Sequence, residues 1–529
     1  MSALNPLIPG FHPDPSVCRV GDDYYLACST FEYLPGIPVF HSRDLAEWTL
    51  IGHVAERASQ LAVAEVPTLG GAWAPTIRHH DGRFWCVVTD AMGRGSLIFT
   101  AERPEGPWSE GTVMRGVSGI DPDIVWDEDG TCYVTYSGLQ LDTSAGSATH
   151  LGIQQVRMDP ETGRALEEPR SLWSGTGLMF PEAPHLYRID GHWYLMIAEG
   201  GTERGHSVSI ARSDRPDGPF EGCPANPVLS ARSTERPVQN TGHGDLVRAP
   251  DGSWLMVLLG MRPRGMTRAF SAMGRETFAT ALRWEDGWPV VDPVTLGEPR
   301  PEFRDRDELP GPALAPEWVA IRQEPSVVGD LAGRPGWVRL TAADGETGVE
   351  GSGDSADTAM DSPRPAFLGR RQLHERASFT ALFDVGRGTG GLTLRMDEFH
   401  HYDIEAGAGQ VRARARIGPV RQTWERPLTG DPGSVELRII TEPVGADGLE
   451  RMGPDTVRLA FRTGGDGDGD DGGRDDGPGG GWQELAALDG RYIAAETAAS
   501  FTGRVAGVYA AEGVVDVDWF AYTGQDNAR

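Results

Sequence analysis

Five times in the first half of the chain the same alternation of apolar and polar positions recurs. The copies are DPSVCRVGDDYYLAC from Asp14, APTIRHHDGRFWCVV from Ala74, DPDIVWDEDGTCYVT from Asp121, APHLYRIDGHWYLMI from Ala183 and GDLVRAPDGSWLMVL from Gly244. Each has a small or acidic residue, usually a proline, an apolar run, an Asp-Gly or Asp-Asp turn, and an aromatic-rich run. Asp-Gly between two apolar runs is a strong signal for a tight hairpin. The copies start 60, 47, 62 and 61 residues apart, a period that leaves room for two further strands per unit. The pattern predicts an all-β chain whose residues 1–300 form a five-bladed β-propeller.

The remainder carries a different rhythm. The stretch around 301–325 is rich in proline and charge, lacks periodicity and reads as a linker. Residues 326–529 hold short alternating runs, among them SFTALFDV, GGLTLRM, YDIEAG, SVELRII, TVRLAF, VAGVYA and VDVDWFAY. Such runs predict a jelly-roll-like β-sandwich. Two stretches fit no core. Residues 341–362 are small and polar, and 464–481, GGDGDGDDGGRDDGPGGG, offer nothing apolar to bury and are expected to be disordered. The acidic insert lacks the large apolar residue of calcium-binding nonapeptide repeats and reads as a solvated loop.

Charge narrows the partners. A formal charge of −29 disfavours nucleic acid and anionic membranes and suits a small neutral oligosaccharide. The five cysteines, with no CxxC spacing, read as buried reduced thiols. The N-terminal MSALNPLIPGFHPDPS lacks a basic and apolar leader, and no later segment is long enough to span a membrane. The expected location is cytoplasmic. A homo-oligomer is compatible with everything above.

The repeat aligns residues between blades. At or just before each Pro position stand Asp14, Trp73, Asp121, Glu182 and His243, expected at one end of the central channel. Two blades carry Ala-Pro, so the turn itself needs no acid. Three carboxylates in one funnel suit the hydrolysis of a glycosidic bond, in which one carboxylic acid protonates the leaving oxygen and one carboxylate acts from the opposite face. Glu182, flanked by Phe180 and Pro181, is the expected general acid, and Asp14 the general base. Asp121 is expected to tune Glu182 by its charge and to orient substrate. The residues themselves do not force this division of roles.

The motifs GFHPDPS, STFEYLPGIPVFHSRDLAEW, GGAWAPT, GIDPDIVWDEDG, PEAPHLYRIDGHWYLMIAEGGT, NTGHGDLV and MGRETF resemble glycoside hydrolase family 43, and most closely its two-domain β-xylosidase branch. The resemblance extends more loosely through VDVDWFAYTG. It implies inversion, with an Asp base, a tuning Asp and a Glu acid falling on Asp14, Asp121 and Glu182. It places Phe31, Trp73, His243 and Arg275 in the sugar pocket, His206 on the same rim, and Phe501 of AASFTGRVAG on a sandwich loop that closes the pocket and makes cleavage exo-acting. Phe31 and Trp73 are otherwise ordinary core aromatics, and Arg275 a surface arginine. His243 is an interior histidine or the neighbour of a structural calcium held through water. Catalysis itself requires no cofactor and no metal ligand.

Within that resemblance the expected activity is release of xylose from the non-reducing end of short β-1,4-xylo-oligosaccharides, with α-L-arabinofuranosidase as a side or principal activity. A fructan-cleaving hydrolase would need a WMNDPNG-like motif where this chain has FHPDPSV. A non-catalytic sugar-binding propeller would be expected to have lost one of the acids.

Overall fold

The computed structural model describes residues 5–142, 147–265, 269–309, 313–342, 359–428, 433–443, 453–463 and 481–526. The acidic stretch expected to be disordered lies, apart from Gly481, outside the described residues, as does most of 341–362. Two compact units divide the chain. One comprises residues 1–262 and 275–298, the other 263–274 and 299–529. Residues 263–274, which join two strands of the fifth blade, thus count with the second unit.

The first unit is a five-bladed propeller. Its five sheets each run outward from an inner strand: Ser16–Val20, Gly71–His80, Gly119–Trp126, Glu182–Ile189 and Gln239–Arg248. In every blade the inner strand pairs antiparallel with the next through the predicted turn, as in Val20 opposite Asp23 and Ile189 opposite His192. Apolar side chains lie on both faces of the blades because each blade is covered by two neighbours. Ile77, Phe84, Cys86 and Val88 of the second blade pack with Ala27, Val39 and Val54 of the first, and analogous clusters fill the four other gaps. All five cysteines are buried in these layers and none forms a disulfide, and burial lifts the Cys18 thiol to about 12.

The N-terminal segment closes the ring. Ile8 bridges Thr277, Gly10 N–H donates to Glu276 Oε1 (2.8 Å), and Asn5 Nδ2 donates to the carbonyls of Ala279 (2.7 Å) and Thr295 (2.9 Å). Ring closure by the chain end satisfies the edge that an open propeller would expose.

In the second unit thirteen strands among the described residues belong to one connected β-sheet system. Its spine is the 21-residue strand Val505–Gln525. The first part pairs with Ala366–Arg371 and Gly388–Asp397, the second with Val338–Thr341, Arg376–Asp384 and Phe303–Asp307. One strand thus serves both layers of the sandwich. The change of layer falls at Gly513, whose φ is 61°, and a Cβ there would stand 2.5 Å from the Arg387 carbonyl oxygen. The two runs VAGVYA and VDVDWFAY are therefore one strand. The stretch read as a linker contributes Phe303–Asp307, a strand whose FRDRD sequence has little apolar signal.

Candidate active site

Every inner strand carries the same distortion. Asp14, Ala74, Asp121, Ala183 and His243 all have left-handed backbones, with φ of 55°, 45°, 55°, 50° and 52°. The strand register slips at this point in the second to fifth blades, for example between Ile120 and Asp123 and between Glu182 and His185. A left-handed non-glycine residue is strained and persists only where its surroundings hold it, most often at functional sites. The residues that align strictly are therefore Asp14, Ala74, Asp121, Ala183 and His243. Trp73 and Glu182 stand one residue before the left-handed positions of their blades.

The carboxylates Asp14 and Asp121 are tied into neighbouring blades. Ser29 Oγ donates to Asp14 Oδ2 (2.6 Å) and accepts from the N–H of Ala74 (2.7 Å), and the N–H of Ala183 donates to Asp121 Oδ2 (3.0 Å). Arg275 Nη1 donates to Asp14 Oδ1 (3.0 Å) and to Thr202 Oγ1 (3.1 Å). Its guanidinium carbon lies 5.6 Å from the centre of the Phe31 ring. His243 Nδ1 is 3.5 Å from Asp14 Oδ1. Arg275 is thus a buried partner of Asp14 at 8% exposure, where the surface alternative required an open side chain.

The three acids differ in proton affinity. Burial opposes ionisation of Asp14, but the charge of Arg275 and the Ser29 hydrogen bond hold Asp14 below the usual carboxylate value. Burial, then the negative charge of Asp14, pushes Asp121 up to about 7. Burial, followed by the charges of Asp121 and Asp14, raises Glu182 well above an ordinary glutamic acid. One ionised carboxylate and one retained proton stand in one funnel, the division that acid–base hydrolysis requires. Phe180, expected to form a collar for Glu182, is 39% exposed and packs on His150 at 4.8 Å. Burial and the other two acids account for the retained proton.

The aromatic residues have defined places. Phe31 is buried, stacks on Phe11 at 5.8 Å and exchanges two backbone hydrogen bonds with Ala72. Trp73 meets Phe31 edge-on at 6.4 Å, donates its Nε1–H to the Leu69 carbonyl (2.6 Å), and keeps part of its surface open. His206 is buried with Nδ1 against the Asn240 carbonyl (3.0 Å), and burial lowers it to about 4, so it is neutral. His243 is likewise pressed to about 3 by burial. Phe501 belongs to the second unit and is partly buried there. It follows the short helix Ala495–Ala498 and precedes Thr502, whose hydroxyl bonds Ser500 (2.8 Å).

Beneath the acids lies a layer the repeat did not reveal. Two residues after each left-handed position come Ser16, Thr76, Asp123, His185 and Asp245, all buried. Arg78 enters among them. Its guanidinium donates to Asp245 (2.9 Å), Asp123 (2.9 Å) and Ser16 (3.1 Å), and stands 3.0 Å from His185 Nδ1. Tyr187 adds its hydroxyl to Asp245 (2.6 Å). The charge of Arg78 holds Asp245 well below the usual carboxylate range against the effect of burial. This network joins all five blades from within and supports the acid-bearing turns.

Calcium binds hard oxygen donors. The groups around His243 are the His185 ring at 6.5 Å and the Asp14 carboxylate, already held by Arg275 and Ser29. That nitrogen-rich set does not fit a directly ligated calcium, and no chemical step is assigned to an ion. Among the described residues no group of three His, Cys, Asp or Glu side chains is arranged to hold a metal.

The raised Asp121 has a measurable consequence. Its folded value of about 7 lies above the ordinary aspartic acid value of 3.8. Between those values the unfolded chain releases a proton that the folded one keeps, so stability falls as pH rises through that window. Asp121→Asn retains an acceptor for the Ala183 N–H and removes the buried charge. Its melting temperature is expected to exceed that of the parent by a margin that grows from pH 4 to pH 7 and is constant above. Scanning calorimetry across that range checks it, and an equal or lower melting temperature at pH 8 contradicts the buried charge.

A five-bladed propeller with an ionised carboxylate, a retained carboxyl proton and aromatic walls in one funnel is the frame of a glycoside hydrolase. Residues 3–289 match glycosyl hydrolases family 43, and residues 306–439 match a beta xylosidase C-terminal concanavalin A-like domain. The chain belongs to glycosyl hydrolase family 43. It is 35% identical over 468 residues to a xylosidase/arabinosidase of Butyrivibrio fibrisolvens, covering 83% of this chain and 87% of that one. It is 39% identical to a non-reducing end alpha-L-arabinofuranosidase of Bacteroides ovatus, covering 81% of each. The solved xylan beta-1,4-xylosidase of Bacillus halodurans superposes with a TM-score of 0.83 at 27% identity, over 98% of this chain and 99% of that one.

Proposed function

We propose that this glycoside hydrolase removes single xylose residues, with inversion, from the non-reducing end of short β-1,4-xylo-oligosaccharides. Asp14 activates water, Glu182 protonates the leaving oxygen, and Asp121 raises the proton affinity of Glu182 and orients the sugar. Phe31, Trp73, His206, His243 and Arg275 bind or shape the pocket around the terminal sugar. The reading rests on one observation above all: Asp14 is held ionised by Arg275 and Ser29 while Glu182 is driven to keep its proton. Hydrolysis by an acid and a base requires no cofactor. Proton NMR of the reaction on a β-xyloside is expected to show α-xylose first. β-Xylose as the first product overturns the assignment of Asp14 as base.

Cleavage of α-L-arabinofuranosides at the same site is the second reading, supported by the arabinofuranosidase and xylosidase/arabinosidase relatives. Side-by-side kcat/KM values on aryl β-xyloside and aryl α-L-arabinofuranoside separate the two. Buried cysteines without a disulfide are compatible with a cytoplasmic enzyme, a location that cell fractionation tests.

The family resemblance makes Phe501 a candidate for the aromatic group that covers an apolar sugar face. Burying such a ring contributes about 1.5–3 kcal/mol. Phe501→Ala is expected to lower kcat/KM on xylobiose about ten-fold or more with little change in melting temperature. Wild-type kcat/KM, or loss only through unfolding, removes Phe501 from the site.

A further inference from the structure

A second cluster of charge lies in the sandwich, wholly within the second unit. Strands His400–Gly407, Gln410–Ile417 and Val420–Pro427 run side by side. Their register brings His401, Arg416 and Arg421 into one row and Asp403, Arg414 and Thr423 into the next. Both faces of His400–Gly407 are buried: Ile404 and Ala406 on one, His401, Asp403 and Glu405 on the other. Against the charged face opens a cavity of about 170 Å³, lined by His401, Arg414, Arg416, Arg421, Asp361 and Thr423 together with neighbouring backbone.

The cations outnumber the acids. His401 is held between Asp403 (2.8 Å from Nδ1) and Asp361 (3.0 Å from Nε2). Those carboxylates outweigh burial and lift it to about 9, so it is charged at neutral pH. Asp361 also accepts from Arg421 (3.3 Å), and Glu405 accepts from Arg414 (2.8 Å). Four cations therefore face three carboxylates, each already engaged. Arg416 is the side chain left over. It is 9% exposed, its Nε and Nη1 are buried and make no hydrogen bond, and Nη1 reaches Asp361 only at 3.6 Å. A buried guanidinium without its hydrogen bonds is costly. In a chain of charge −29, a cavity with one surplus positive charge is not a by-product of composition.

We propose that this cavity binds one small oxyanion, of the carboxylate or phosphate type, through the guanidinium groups of Arg416 and Arg421. Guanidinium matches both oxyanions by paired N–H donors. The volume admits the anionic group and little more. The carboxylate of a sugar acid attached to an oligosaccharide and free inorganic phosphate are the two sources of that chemistry.

The test is a titration of the full-length enzyme by thermal shift, with glucuronate, inorganic phosphate, xylose and sodium chloride as separate probes at matched ionic strength. Saturable stabilisation by glucuronate but not xylose assigns a sugar acid, and stabilisation by phosphate alone assigns the inorganic anion. Either result must weaken about ten-fold or more in Kd in Arg416→Gln, the loss expected when hydrogen bonds to a charged group are removed. Arg421→Gln, at a more exposed position, repeats the test if the first variant folds poorly. No saturable shift with either anion, the same shift with chloride, or unchanged affinity in the folded variants overturns the proposal.

Discussion

Glu182→Gln is expected to reduce kcat/KM on xylobiose by about 10²–10⁴-fold, the range contributed by a positioned general acid. The loss on an aryl xyloside with a good leaving group should be much smaller. The argument runs through the leaving oxygen. A sugar alkoxide cannot depart without a proton, whereas a nitrophenolate can. Glu182 is driven to keep its proton by burial and by the charges of Asp121 and Asp14, so the folded protein supplies the acid at neutral pH. In the parent, activity on xylobiose should fall on the alkaline side as the raised Asp121–Glu182 pair gives up its proton. In the Gln variant the remaining aryl xyloside activity should lose that alkaline limb. Equal losses on both substrates would show that Glu182 is not the proton donor.

The five propeller hairpins were legible because each joins two apolar runs by a turn with its own chemistry. Their acids were legible because Ala74 and Ala183 show that the turn does not need them. The exact register was not. Only the backbone reveals that His243, not Gly244, is the partner of Asp14, Ala74, Asp121 and Ala183, because a left-handed residue inside a strand leaves no periodic signature. Ser29 and Arg78 escaped for a related reason. Each acts across a blade boundary, and contacts between residues 15 or more positions apart follow from closure of the ring. In the sandwich, QVRARARI and VRQTWERP carried no strong apolar run, yet Gln410–Ile417 buries Val411, Ala413 and Ala415 on one face. Alanine fills a sheet interior without raising the hydrophobic signal. The long strand Val505–Gln525 reads in sequence as two runs, VAGVYA and VDVDWFAY, because Glu512 and Gly513 interrupt the apolar residues, whereas the glycine permits the strand to change layers.

Asp14→Asn is expected to lower kcat by about 10²–10⁴-fold, with the same factor on xylobiose and on an aryl xyloside. Activation of water precedes no choice of leaving group, so the loss cannot be recovered by a better one. Asparagine preserves an acceptor for Ser29 and the size of the side chain, so the backbone at φ 55° remains compatible. What it removes is the charge. Arg275 then stays buried at 8% exposure beside a neutral amide, and breaking a buried ion pair by removing one partner costs about 3–5 kcal/mol. The variant should therefore melt below the parent at neutral pH. Asp14 has a folded proton affinity below its unfolded one, so its contribution is present above the ordinary carboxyl value and is lost as pH falls through the lowered one. The melting deficit should shrink in strong acid. Arg275→Met in the Asp14→Asn background removes the buried charge left beside the amide and should recover melting temperature without recovering activity. A double-mutant cycle separates these effects. Recovery of both, or a larger loss on xylobiose than on the aryl xyloside, would mean that Asp14 acts by holding the pocket and that another group activates water.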